Sequence, residues 1–314
     1  MNKHKIIIDT DIGDDIDDLL ALYLALESDK IDIVGITTVY INSNLRARQV
    51  KKVLDIKNRN DIPVFAGIGT PLRGLHFETT NVIFNQYTKD LDDNKYAPIN
   101  DNEKCDGESA IDFLINSAKK YQDELTILCI GPLTNIAKAI LKDKQAMSKV
   151  NYIMMGGCFF KAEREWNIEC DIDAANIVFN SNLKLTCLGT NVTKKVELTL
   201  DEQNYFLNAK HNDLYYKYLV EMINEWVSFT NRRIVLHDPL ALYYIIDPTI
   251  FKSCERHVYL VSKGDFVDGM TLSMEDYLWV QFDNIKKEKF SKCTLVKDVD
   301  NKKFIEEFLK IVKL

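Results

Sequence analysis

"KIIIDTDIGDDIDDLLALYLALES", residues 5–28, runs an apolar, strand-like segment into six aspartates in ten positions, then out into an apolar helical pattern. Two carboxylates ~4 Å apart repel by roughly 1 kcal/mol in water and by ~4 kcal/mol at the effective dielectric of a protein surface. A chain that crowds Asp9, Asp11, Asp14, Asp15, Asp17 and Asp18 behind a buried strand needs something to offset that repulsion. A bound divalent cation is the natural candidate.

The strand-then-helix reading extends along the chain. Apolar runs at 31–39, 63–67, 125–130, 150–155 and 183–188 alternate with helical patterns at 17–28, 44–56, 107–121, 133–142 and 171–180. Continuous apolar strands separated by helices of this length indicate βαβ units. The expected fold is α/β, an open, mostly parallel Rossmann-like sheet flanked by helices. Ligands in such sheets bind at the carboxyl ends of the strands, which is where the aspartate run falls. Later strands are expected at 257–261, 269–273 and 293–299. The segment 212–233, long, amphipathic and rich in Tyr and Trp, reads either as a core helix, the preferred reading, or as a lid.

With 46% hydrophobic and 28% charged residues, 12 Gly and 6 Pro in 314 positions, the composition is that of an ordinary globular protein. No linker or repeat divides it, so residues 1–314 are expected to form a single domain. A net charge of −7 argues against nucleic acid or an anionic membrane as partner. No apolar stretch reaches transmembrane length. The first residues, "MNKHKIIIDTD", are unlike a secretory signal. The seven cysteines are odd in number, scattered and without a C-x-x-C pair, and read as reduced core residues of a cytoplasmic protein.

The acidic run has other readings. One or two aspartates cap a helix and favour its positive end, but six exceed that need. An EF-hand requires a different spacing, and Gly13 comes too soon after Asp11. The "DTD" at 9–11 also fits an aspartyl-nucleophile phosphohydrolase using Mg²⁺, which remains open. A second patch, "LHDPLALYYIIDP" (236–248), places His237 and Asp238 before Pro239, with Asp238 as N-cap and Pro239 at the first helical position. "REWNIECDIDAA" (164–175) sets Glu165 and Asn167 beside Trp166.

Taken in order, "DTDIGDDIDD", "GITTV", "PVFAG", "ILCIGPLTNIAKAI", "MMGG", "EWNIECDIDAA", "NVT" and "HDPLALYYIIDP" resemble the successive signatures of the inosine–uridine-preferring nucleoside hydrolases. The resemblance spans about residues 5 to 250. It implies hydrolysis of the N-glycosidic bond of purine or pyrimidine ribonucleosides to ribose and free base, with one Ca²⁺ as cofactor and a role in nucleoside salvage. Small nucleosides are then the expected partners, and members of the family are often homo-dimers or homo-tetramers.

By the same resemblance Asp11 binds the metal and takes a proton from the attacking water, Asp238 is a second ligand that also touches ribose, and the carbonyl of Ile130 is a third. The family's commonest form, D-x-D-P-G-x-D-D-A, is two residues shorter than the run here. Aligned on the helix, Asp18 becomes the metal ligand and Asp17 the ribose contact; aligned without a gap, Asp15 becomes the ligand and two unpaired carboxylates enter the apolar helix face, which is costly. Asn42, Glu165 and Asn167 match positions that hold ribose hydroxyls or the 5′ end, and Met155 lies under the sugar. His237 stands where some members carry an acid for the leaving base, or contacts that base. "VYIN" (39–42) replaces the usual V-A-G-N, "CDGESA" (105–110) lacks a His, the loop after "MMGG" is short, and Asn191 stands where Asp is usual. A noncatalytic ribosyl-ligand binding protein is the remaining alternative.

Overall fold

The computed structural model describes residues 3–74, 95–96, 108–210, 212–264, 266–277 and 290–312. Its strands are β1 (His4–Thr10), β2 (Ile31–Thr38), β3 (Val64–Ala66), β4 (Leu125–Cys129), β5 (Asn151–Met155), β6 (Lys184–Leu188), β7 (Phe251–Leu260), β8 (Thr271–Ser273) and β9 (Lys292–Val299). The helices are α1 (Asp17–Glu27), α2 (Ser43–Ile56), α3 (Glu108–Tyr121), α4 (Thr134–Lys142), α5 (Lys144–Met147), α6 (Trp166–Cys170), α7 (Ile172–Phe179), α8 (Thr190–Thr193), α9 (Leu200–Leu207), α10 (Leu214–Thr230), α11 (His237–Ile246), α12 (Met274–Tyr277) and α13 (Asn301–Val312).

The strands form one sheet in the order β3-β2-β1-β4-β5-β6-β9-β7-β8. From β3 to β9 each neighbouring pair is parallel. β7 returns antiparallel against β9, and β8 against β7. Strand order reverses beside β1, whose partners are β2 and β4, and the carboxyl ends of β1 and β4 there flank a crevice suited to a ligand.

β1 shows why its isoleucines are continuous. Ile6 and Ile8 enter the layer containing α1, α2, α10, α11 and α13, while Ile7 enters the opposite layer with α3, α4, α5 and α7. A strand covered on both faces has no polar side to present. α1 is likewise buried from Asp17 to Ala25, because it packs on α11 and α13 as well as beside the sheet.

Two expected elements start elsewhere than the sequence reading places them, and α9 and α13 have no counterpart in that reading. β7 starts at Phe251 rather than at 257, because its first half pairs with β9 from Phe251↔Val299 onward while leaving Lys252, Ser253 and Glu255 in solvent. Hydropathy does not mark such a half-exposed strand. α11 starts at His237, with Leu236 as N-cap, since the Leu236 carbonyl accepts from Leu240 N–H at 3.1 Å. Asp238 is therefore inside the first turn and Pro239 follows it, leaving the Asp238 carboxylate free of capping duty. α10 is a core helix that buries Tyr215, Tyr218, Leu219, Met222, Ile223 and Trp226, with Tyr215 stacked on Tyr23 at 4.1 Å. The six described cysteines are free, as expected; Cys105 and the rest of 105–107 lie outside the described residues. Among the described residues no helix is long and apolar enough to cross a membrane.

Candidate active site

The end of β1 is fastened before the acidic loop begins. Asp9 is fully buried, and its Oδ1 accepts from Thr37 Oγ1 at 2.6 Å on β2 and from Asn135 Nδ2 at 2.7 Å on α4. Burial pushes its carboxyl up to about 7 despite those bonds. Thr10 donates its hydroxyl to Asp18 Oδ1 and accepts from Ile12 N–H at 3.0 Å, so strand end, loop and first turn of α1 are one unit. Gly13, at φ 114°, turns the loop through a conformation that side chains resist.

α1 and α11 bring their N-termini together. The Asp238 N–H donates to Asp17 Oδ2 at 3.3 Å. Asp17, Asp18 and Asp238 each offer a carboxylate oxygen, all within 4.8 Å of one another, and all three residues are buried. Helix N-termini favour negative charge, but desolvation dominates and the neighbouring aspartates add to it, so each of these carboxyls is held well above the ordinary range. Asp11, about 5% exposed, is pushed up to about 7 by burial, with the Arg46 guanidinium opposing that shift. Such a cluster holds either protons or a cation. The donors are hard oxygens without a thiol or imidazole among them, which suits Ca²⁺ or Mg²⁺.

These acids line a cavity of about 660 Å³ together with Asp14, Asp15, Tyr40, Ile130, Met155, Glu165, Asn167 and His237. Asn167 sits at the far side of the switch point, its Nδ2 donating to the carbonyls of Ile130 at 3.3 Å and Met155 at 3.2 Å. Glu165 caps α6, accepting from Asn167 N–H at 2.9 Å and Ile168 N–H at 3.1 Å, and also from Gly157 N–H at 2.9 Å. Both its oxygens are thus occupied by backbone. His237 Nδ1 lies 2.6 Å from Thr193 Oγ1. Burial, reinforced by Lys194, lowers its pKa to about 4, so the ring is neutral at pH 7.

Most of the residues singled out from the sequence therefore converge. Two stand apart. Asp15 is an exposed residue of the cavity wall whose Oδ1 accepts from Ile16 N–H at 2.6 Å, outside the Asp17–Asp18–Asp238 trio. Asn42 is exposed at the start of α2 and does not line the cavity; the neighbouring Tyr40 does. Asn191, in α8, ties the segment after β5 to β9, accepting from Phe159 N–H at 3.5 Å and donating to the Val296 carbonyl at 3.2 Å. Sequence reasoning missed Thr193, the cavity-lining pair Trp226 and Thr230, and the buried Arg46. The four-residue spacing of Trp226 and Thr230, which puts them on one helix face, was the available signal for that pair.

Residues 6–306 match the inosine-uridine preferring nucleoside hydrolase family, and the chain belongs to it. It is 32% identical over 285 residues to uridine nucleosidase 1 of Arabidopsis thaliana, covering 87% of this chain and 82% of that protein. It is 28% identical over 319 residues to the pyrimidine-specific ribonucleoside hydrolase RihA of Escherichia coli, covering 96% of each. Among solved structures, a plant nucleoside hydrolase superposes with a TM-score of 0.81 at 27% identity, covering 98% of each chain. The purine-preferring ribonucleoside hydrolase of Gardnerella vaginalis gives 0.76 at 27% identity over the same share.

The chain is accordingly an N-ribohydrolase, which splits ribonucleosides with water into ribose and free base. The phosphohydrolase and the noncatalytic readings fall with that assignment. Asp9, one of the two alternative nucleophiles for the former, is also locked beneath the cavity by Thr37 and Asn135.

Proposed function

We propose that the chain serves nucleoside salvage by cleaving pyrimidine ribonucleosides, uridine foremost, with Ca²⁺ held by Asp11, Asp18, Asp238 and the Ile130 carbonyl. The observation that carries this reading is the buried carboxylate trio at the strand-order reversal, a concentration of negative charge that a hard divalent cation relieves. The uridine and pyrimidine specificities named for the Arabidopsis and Escherichia coli relatives support the choice of base.

When bound, the cation supplies the Lewis acidity that makes water a nucleophile near neutral pH. Asp11, on the cavity wall beside the trio, would accept the proton of the attacking water at its carboxylate. Asp17 and Asn167 hold ribose hydroxyls, and Met155 packs under the sugar. Glu165, its oxygens engaged by backbone, fixes the start of α6 and so the position of Asn167. The surrounding carboxylates stabilise the positive charge that develops on ribose as the glycosidic bond lengthens. A Thr193 hydroxyl donating to Nδ1 leaves the His237 proton on Nε2, from which the neutral ring supports the departing base.

The test is ribose release from uridine, cytidine, inosine and adenosine, before and after chelation and again with Ca²⁺ restored. Loss on chelation and recovery with Ca²⁺ supports the cation, and faster turnover of uridine supports the pyrimidine reading. Release that persists without metal, or inosine outpacing uridine, overturns the corresponding part.

A further inference from the structure

Arg46, in the second turn of α2, is completely buried beside the acidic loop. Its guanidinium donates to the backbone carbonyl of Asp11, to that of Ile12 at 3.0 Å and to Asp14 Oδ2 at 2.8 Å. Its Nε donates to the Tyr40 carbonyl at 2.8 Å. One planar group thereby joins the backbone of the acidic loop, an acid within it and the turn after β2.

That turn needs holding. Tyr40 and Ile41 have φ of 70° and 52°, a left-handed conformation that aromatic and β-branched residues rarely adopt. It is fixed by Tyr40 N–H to the Ile68 carbonyl at 2.9 Å and Ile41 N–H to the Gly69 carbonyl at 2.6 Å, and on its other side by Arg46. The Tyr40 ring lines the cavity. Asp14 Oδ1 is buried with no hydrogen-bond partner, so the hydrogen-bonded oxygen of this carboxylate is the one facing Arg46. The loop is also two residues longer than the family's commonest spacing, which adds acids that must be kept from competing for the cation.

We propose that Arg46 is a positioning residue for the hydrolysis: it withholds Asp14 from the cation and locks the loop carrying Asp11 to the turn carrying Tyr40. The proposal rests on the cation reading above. Arg46 does not line the cavity; it sets where Asp11 and Tyr40 stand.

Two variants test it. The double variant Arg46→Gln with Asp14→Asn removes one positive and one negative charge, leaving the net charge around the cation unchanged. Arg46→Lys keeps a charge facing Asp14 but replaces the rigid fork with a point donor, and it decides the matter if the double variant does not fold. Ca²⁺ affinity is read by titration calorimetry on chelator-treated protein, and kcat and KM from ribose release with uridine. In both variants Ca²⁺ should bind within about threefold of wild type while kcat falls by about tenfold or more and KM stays within about threefold, as expected when catalytic geometry is displaced at a distance. An unchanged kcat overturns the proposal, as does a rise confined to KM. A Ca²⁺ affinity lowered more than about tenfold in the double variant makes Asp14 a ligand and overturns it too. Failure of wild-type protein to bind Ca²⁺ overturns the cation reading itself, and this proposal with it.

Discussion

The backbone N–H of Asp238 donates to the carboxylate of Asp17 at 3.3 Å, joining two residues 221 positions apart in the chain. This bond aligns the first turns of α1 and α11, so the acids of both helices meet at one point. The reading proposed above gives the two partners different duties, and substitutions separate them. Asp238→Asn should lower Ca²⁺ affinity and ribose release by at least about 100-fold, beyond the loss usual for a group outside the coordination sphere. If Asp17 holds a ribose hydroxyl as proposed, Asp17→Asn removes a charged hydrogen bond worth about 1.5–3 kcal/mol and should lower kcat/KM by roughly 10- to 100-fold with smaller loss of Ca²⁺ binding. Calorimetry beside steady-state kinetics checks both; equal loss of Ca²⁺ affinity in the two variants would make Asp17 a ligand.

Ca²⁺ should stabilise the fold as well as the reaction. Binding only to the folded state at 100 times the dissociation constant adds about 2.7 kcal/mol and raises the melting temperature of a chain this size by roughly 5 °C. The buried trio is the source of the gain, so Asp18→Asn should lose most of it. Thermal unfolding with and without Ca²⁺ measures this, and a wild-type midpoint indifferent to Ca²⁺ contradicts it.

Thr193 controls how His237 presents its ring. Thr193→Val removes the 2.6 Å partner of Nδ1 at nearly constant volume. A hydrogen bond from the neutral ring to a base gaining negative charge is worth about 1.5–3 kcal/mol, and mispositioning the ring should cost part of it, a fall of about tenfold in kcat for uridine. Thr193→Ser keeps the hydroxyl and should retain most of the rate. If valine and serine variants turn over equally, the hydroxyl does not position the histidine.

Trp226 and Thr230 mark the wall that α10 contributes to the cavity. Trp226 is about 3% exposed, so truncation to alanine risks the fold, at about 3–5 kcal/mol. Trp226→Phe keeps most of the packing while reshaping the wall; KM for uridine should rise several-fold with kcat little changed. The opposite pattern, a lower kcat at constant KM, would remove this wall from ground-state substrate binding.

The core of the fold was readable because β1 to β6 are covered on both faces over most of their length, so each appears as a largely apolar run bounded by helical patterns. β7 was only partly readable, since Lys252, Ser253 and Glu255 face solvent and nothing in hydropathy requires a strand there. For the site, the acidic run and the His237–Asp238 pair were visible as composition. Their convergence was not, because it depends on two helix ends meeting. Burial separates Asp17 and Asp18 from the exposed Asp15, a distinction that the run of aspartates does not display by itself. Arg46 and Thr193 escaped notice because a single arginine or threonine in a helix carries no spacing signal; only the partner reveals the role.

The separation between Asp17 and Asp238 also orders events at the ribosome. Asp11 and Arg46, 35 positions apart, emerge early, and the guanidinium can engage the Asp11 carbonyl while most of the chain is still unmade. Asp238 arrives 221 positions after Asp17. On the cation reading proposed above, the cradle is incomplete until then, and metal capture would close the folding of the chain rather than nucleate it.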